Sequence, residues 1–340
     1  MTPKPRINKV LKFSKSYLNI FKIKKSFYDD NEIYLKNAIK INNEYKKQPL
    51  RKCCKNCGSK KIKLFIKNFN IPYKLCSYCG HLNGAYEDTR VFAKKLYTPA
   101  YGKNYLNDFD KRVENIYIPK VDFLKKVIKK KINVLDLGCG AGHFVKALEQ
   151  KGISATGYDT SVVLCKLGNK KLKKNKIHSV NFEKIYEIID NHSKFNTLSL
   201  IGVLEHLTEP HELLNSFKKS KIRYLYISVP LFSLSSFLEN SFTNVFPRQL
   251  SRGHTHLYTE KSLNYLAKIY KFKIIGEHWF GTDFQDLMRS LLITGNIMNK
   301  KIYTKELYEK FSKFIDDLQF VLDKNKVCSE VHMVFENKNF

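Results

Sequence analysis

The stretch Val134–Leu148 constrains the fold of this chain more than any other. It reads Val-Leu-Asp-Leu-Gly-Cys-Gly-Ala-Gly-His-Phe-Val-Lys-Ala-Leu. A short apolar run passes through three alternating glycines into a helical pattern, which predicts a buried strand, a tight turn and a helix start. Gly138, Gly140 and Gly142 permit positive φ and let the backbone come close to a ligand. The free amides of the helix start then favour an anionic group. A dinucleotide fingerprint would require glycine at 143, where this chain has His143. Its spacing is instead Gly138-x-Gly140-x-Gly142, with Asp136 two residues before the first glycine.

The residues downstream repeat a strand–helix rhythm. Helix 144–150 ends near Gly152, and strand 154–159 ends in Asp159, about twenty residues beyond the first glycine. A carboxylate there can accept both hydroxyls of a ribose, as in adenosine-binding α/β sheets. A helical pattern over 161–174 leads to a third strand at 177–180, a fourth at 197–203 and a fifth at 223–229. Strands at 272–280 and 330–336 close the domain as an antiparallel pair, with a helical insertion over 281–327 between them. Alternation of this kind predicts a doubly wound α/β sheet.

Together the glycine spacing, Asp136, Asp159, the segment Leu204-Glu205-His206 after the fourth strand and the closing hairpin resemble class I S-adenosylmethionine-dependent methyltransferases. The resemblance implies a seven-stranded Rossmann-like sheet and S-adenosyl-L-methionine as cofactor. It assigns Asp136, Gly138, Gly140 and Gly142 to the methionine end of the cofactor and Asp159 to its ribose. Glu183 stands near the usual adenine contact. Glu205 and His206 fall beside the sulfonium. Ubiquinone-type O-methyltransferases carry another acid three residues before that Glu. Here it is Gly202, so no catalytic divalent metal is expected.

A second signal precedes this core. Cys54 and Cys57, then Cys76 and Cys79, form two C-x2-C pairs separated by eighteen residues, inside the zinc-ribbon window. Four thiolates complete a tetrahedral shell with no open position, so the expected Zn2+ is structural. Gly58 and Gly80 follow the two pairs and suit knuckle turns. Cys53 is a spare thiol and His81 a neighbour of the site. Further on, Gly253-His254-Thr255-His256-Leu257-Tyr258-Thr259 resembles a His-x-His segment of zinc-ribbon methyltransferases acting on sugars of surface-polysaccharide or deoxysugar pathways. In the sugar C-methyltransferases a Glu precedes the second His; here it is Thr255. Transfer to oxygen is therefore favoured over carbon, with His256 the foremost base and His206 and Glu205 beside it.

The expected organisation is a basic extension over 1–50, a zinc ribbon over 51–84, a helical connector over 85–130 and the methyltransferase domain over 131–340. Within that domain, 231–258 is read as a lid and substrate segment. Tyr97, Tyr101 and Tyr105 in the connector are read as packing between domains, with cofactor contact the alternative. The extension has partly amphipathic helical patterning at Val10-Leu11-Phe13, Tyr17-Leu18 and Ile20-Phe21.

Charge enters the argument at the choice of partner. The chain of 340 residues has a net charge of +30, and residues 1–75 carry 20 Lys/Arg against 4 Asp/Glu. Such a field suits an anionic small acceptor such as a nucleotide-sugar. It also leaves nucleic acid and, through the N-terminal extension, a membrane surface open as partners. An RNA ribose or base methyltransferase is thus the second reading, and a non-catalytic S-adenosylmethionine-binding module the third. The Asp/Asn-Pro-Pro-aromatic loop used on extruded bases has no counterpart, because the chain contains no Pro-Pro pair. No run of about 18 apolar residues predicts a membrane span. Lysines 9, 12, 15 and 22 interrupt the apolar core that a signal peptide would need, so a cytoplasmic location is expected.

Overall fold

The structure is a computed structural model that describes residues 9–16, 30–97, 108–190, 192, 194–250 and 253–338, without the side chains of Tyr97, Phe182 and Lys301. Among the described residues, twelve strands run in chain order. They are β1 (Val10–Phe13), β2 (Ile62–Asn68), β3 (Ile71–Cys76), β4 (Leu82–Gly84), β5 (Asn133–Leu137) and β6 (Ser154–Asp159), followed by β7 (Ile177–Ser179), β8 (Thr197–Ile201), β9 (Tyr224–Pro230), β10 (His256–Leu257), β11 (Lys273–Phe280) and β12 (Glu330–Glu336).

Eight of them form one sheet in the order β1-β11-β12-β9-β8-β5-β6-β7. Strands β5 to β9 pair in parallel, and β12 runs antiparallel between β9 and β11. The chain order reverses between β5 and β8. That places a crevice beyond the carboxyl ends of these strands, where α/β sheets bind ligands. The expected seven strands are present, and β1 adds an eighth.

Residues 10–13 were expected in a helix, and this is corrected. β1 lies parallel to β11, with Val10 opposite Gly276 and Phe13 opposite Trp279. The outer edge of β11 offers unpaired amides and carbonyls, and a short run of Val, Leu and Phe satisfies them better as a strand than as a solvated turn of helix. Lys9 pairs with the buried carboxylate of Glu277 at the start of the strand. Tyr17-Leu18 and Ile20-Phe21 lie outside the described residues, as do Tyr101 and Tyr105.

The parallel strands are buried on both faces, so successive side chains feed two cores. Leu135, Leu198 and Leu225 pack with Leu213 and Leu263 on one side. Val134, Ala155 and Tyr226 pack with Val145, Leu148 and Leu124 on the other. The helix Glu260–Tyr270 starts at a capping box, in which the Thr259 hydroxyl accepts from the Ser262 amide and the Ser262 hydroxyl accepts from the Thr259 amide.

The ribbon makes a second sheet, β10-β4-β3-β2. Its fourth strand comes from the methyltransferase half: His256 pairs with Asn83 and Leu257 with Leu82. The segment expected to act as a lid is tied down. Ser233 and Ser235 donate to Asp283 at 2.6 and 2.9 Å. Arg248 pairs with Asp286 at 2.8 Å. Glu239 accepts the amides of Arg248, Gln249 and Leu250. Both aspartates open the helix Asp283–Ile297, the first of the insertion. No helix among the described residues is long and apolar enough to cross a membrane.

Candidate functional site

The glycine turn leaves β5 and enters the helix His143–Gln150. Beside it lies a cavity of about 330 Å³ whose wall includes Asp136, Gly138, Gly140, Asp159, Thr160 and His206. Gly140 has φ +55° and nothing within 4 Å of where a Cβ would sit. That open space on the cavity wall is the close approach a ligand needs. Gly142 serves a different purpose. A Cβ there would collide with Ile177 at φ +75°, so this glycine packs the helix start against β7 and does not line the cavity.

Asp159 stands at the tip of β6. Its carboxylate accepts the Gly140 amide and the Ser161 amide, each at 2.8 Å. It thus braces the turn while lining the cavity. Asp136 is 2 % exposed and accepts from the Ser199 hydroxyl at 2.6 Å. Burial pushes its carboxyl up to about 7, with the nearby Asp159 adding to the rise. An adenosyl ligand fits this set: an open glycine, a carboxylate at the second strand tip, and apolar Leu164 and Ile185 on the wall.

Glu183 is not brought to the cavity. It sits on the surface and pairs with Lys94 at 3.0 Å. Asn181 beside it is occupied in capping the short turn Phe182–Ile188, its carbonyl oxygen accepting the Glu183 amide. Ile185, one turn further on, is the residue that reaches the wall.

Beyond β8 the chain turns at Gly202 (φ +67°) into a single 3-10 turn, Leu204–His206. The turn faces His206 into the cavity, with 24 % of its side chain exposed. Glu205 is buried; its Oε1 lies 3.9 Å from His206 Nε2, and its Oε2 has no hydrogen-bond partner among the described residues. Burial pushes the Glu205 carboxyl up to about 8. Burial, then the neighbouring His254, pushes His206 down to about 3. The His206 and His254 rings stack at 5.0 Å.

His256 takes a different place. It is fully buried in β10 and does not line the cavity. Its Nδ1 lies 2.9 Å from Nε2 of His81, which is also fully buried. Burial holds both rings well below the ordinary imidazole range. The pair couples the ribbon to the His-x-His segment.

The four sulfurs of Cys54, Cys57, Cys76 and Cys79 lie within 4.8 Å of one another, with Cys54–Cys79 and Cys57–Cys76 both at 3.6 Å. A tetrahedral zinc with bonds of about 2.3 Å needs sulfurs about 3.8 Å apart, so the set fits. The Gly58 and Gly80 amides close the knuckles onto the carbonyls of Cys54 and Cys76. Asn83 and Asn56 donate to the sulfurs of Cys54 and Cys79, which suits thiolates. His81 is outside this cluster, and Cys53 is a free thiol.

Two features escaped the sequence reading. Lys55, in the first knuckle, donates to the Leu207 carbonyl at 2.6 Å and pairs with Asp88, joining the ribbon to the turn that carries His206. At the sheet's carboxyl edge, Lys120 and Glu330 both meet Nε2 of His332, at 3.2 and 3.1 Å, while Tyr226 holds its Nδ1 at 2.6 Å. A lysine in an amphipathic helix carries no signal of such burial.

Residues 109–277 match the methyltransferase domain family model. Comparison with curated proteins returned no match. Among solved structures, phosphoethanolamine N-methyltransferase 2 of Haemonchus contortus, solved with S-adenosyl-L-methionine, is 15 % identical at a TM-score of 0.46, over 75 % of this chain and 62 % of that one. A methyltransferase dependent on the same cofactor from Archaeoglobus fulgidus is 17 % identical at 0.43, over 68 % of this chain and 97 % of that one. Geranyl diphosphate C-methyltransferase from Streptomyces coelicolor is 10 % identical at 0.40, over 74 % and 90 %. The family match falls on the glycine turn, Asp159 and the Glu205-His206 turn, and with them this chain carries a class I S-adenosylmethionine-dependent methyltransferase domain.

Proposed function

We propose that this enzyme methylates a hydroxyl of a small metabolite, a sugar or nucleotide-linked sugar, at the end of the cavity that carries His206. The observation that supports this most is the gathering of Glu205, His206 and His254 beside the cavity. On this reading, these groups receive the proton that an acceptor oxygen gives up. The His-x-His segment supports a sugar by its resemblance to zinc-ribbon sugar methyltransferases, and Thr255 in place of their Glu favours oxygen over carbon.

When bound, S-adenosylmethionine supplies an electrophilic methyl on a positively charged sulfur. The open face of Gly140 admits the methionine end, and Gly138 and Asp136 flank it. Asp159 would accept from the ribose hydroxyls. Alignment of acceptor and methyl for in-line displacement is worth several kcal/mol of barrier. Glu205, His206 and His254 deal with the acceptor's proton, a task worth about 10²–10⁴ in rate. His256, paired with His81, holds the segment that carries His254. Cys54, Cys57, Cys76 and Cys79 would hold a structural Zn2+ that fixes the ribbon under this segment.

The test is mass spectrometry of metabolites labelled from heavy-methyl methionine, in cells with and without the protein. A labelled sugar or nucleotide-sugar that depends on the protein is the expected result. Label appearing in RNA instead would favour the nucleic-acid reading, which rests on the positive charge. No label, with no cofactor binding, would leave a non-catalytic module.

A further inference from the structure

We propose that Glu205, His206 and His254 bind a divalent transition-metal ion beside the cofactor cavity, a second metal site separate from the four cysteines. Its binding stands on the geometry alone; its part in catalysis rests on the proposed function. One carboxylate oxygen and one nitrogen from each ring lie within 4.8 Å of one another. Bonds of about 2.1 Å in a tetrahedral shell require separations of about 3.4 Å, so the ligand atoms would draw closer together on binding.

Three further observations point to a cation. Glu205 is 2 % exposed, and its Oε2 has no partner among the described residues; a carboxyl in such a place ionises only with a compensating charge beside it. Its other oxygen lies 3.8 Å from where a Cβ on Gly202, a residue of the cavity wall, would sit. His254 donates its Nδ1–H to the Gln249 carbonyl at 2.8 Å, and His206 is hydrogen-bonded to the Gly253 backbone. A backbone carbonyl on one ring nitrogen turns the lone pair of the other outward, the orientation that metal-ligating histidines show. Two imidazoles and one carboxylate suit zinc, cobalt, manganese or iron(II) over magnesium or calcium. Three protein ligands leave a position open for a substrate oxygen.

The absence of an acid at Gly202 therefore does not settle the question of a metal. The third ligand comes from His254, which the tertiary fold brings to the turn across about fifty residues of chain. An acceptor hydroxyl bound at the open position would lose its proton to water more readily. The freed oxygen pair would form the C–O bond as the S–CH3 bond breaks, its electrons remaining on the sulfur of S-adenosylhomocysteine.

The experiment titrates Co2+ into the full chain with zinc retained at the cysteines, followed by visible absorption and calorimetry. Wild type should take up one further equivalent whose spectrum lacks sulfur-to-cobalt charge transfer. The isosteric E205Q and the truncated H254A should bind it about 10–100-fold more weakly, with circular dichroism showing both folded. No uptake by wild type, uptake with a thiolate band, or unchanged affinity in both variants would overturn the site. Cofactor binding measured on the same samples keeps the two readings apart. Cobalt uptake without S-adenosylmethionine binding supports the site and sinks the proposed function. Full methyl transfer by metal-stripped enzyme overturns the catalytic part alone.

Discussion

The cysteine ribbon and the glycine cradle are each built to fit a non-protein group, but the physics differs. In the ribbon, four cysteines from two knuckles converge on one point, so a bound ion would supply the cohesion that a sheet of short strands lacks. In the cradle, the wall is built from the tips of strands already buried on both faces, so the scaffold precedes the ligand. The ribbon should therefore need its ion to fold, whereas the cradle should keep its shape empty. Lys55, β10 and the His81–His256 pair are where one depends on the other.

The largest expected effect breaks the ribbon. Cys76→Ser or Cys79→Ser should abolish its zinc, measured by metal analysis, and cost several kcal/mol in denaturant melts, since structural zinc binding is folding free energy. Cofactor affinity by calorimetry should fall far less than stability. If it disappeared altogether, the two regions would be one cooperative unit.

The second prediction uses pH, to which the two regions should respond in opposite senses. Thiolate–metal sites weaken as pH falls. Asp136 does the reverse, because its folded value of about 7 lies above the unfolded 3.8. Between those values the folded state keeps a proton that the unfolded state has lost, so stability falls as pH rises through the window. The upper bound is about 4 kcal/mol. Melts of wild type and Asp136→Asn from pH 4 to 8 should show a slope that the variant lacks.

Asp159→Ala should weaken S-adenosylmethionine binding by about 1.5–3 kcal/mol, the worth of hydrogen bonds to a charged group. Calorimetry showing unchanged affinity would remove Asp159 from the ribose site. The smallest effect is at the joint. Thr259→Ala loses the helix cap and the hydroxyl's bond to the Gly80 carbonyl, and should cost about 1 kcal/mol in a thermal melt.

Local patterns were readable in the chain and distant partnerships were not. The glycine turn, the strand ending at Asp159 and the strand Glu330–Glu336 lie where the pattern of residues put them. So do the two cysteine pairs, because each depends on neighbours a few positions away. Glu183 was misplaced because its register in a short turn is set by Asn181 and an ion pair from another helix. His256 drew attention as a base because His-x-His looks alike from either histidine. Only the pairing of β10 with β4 turns one into the interior and leaves the other stacked on His206. The strand at Val10–Phe13 could not be anticipated without knowing that β11 had a vacant edge.

That edge strand also bears on how the polypeptide is made. Its partner spans residues 276–279, so the ribosome must translate more than 260 further residues before β1 has anywhere to dock. Until then the strand Val10–Phe13 lacks its pairing edge, and chaperones have a long interval in which to hold it.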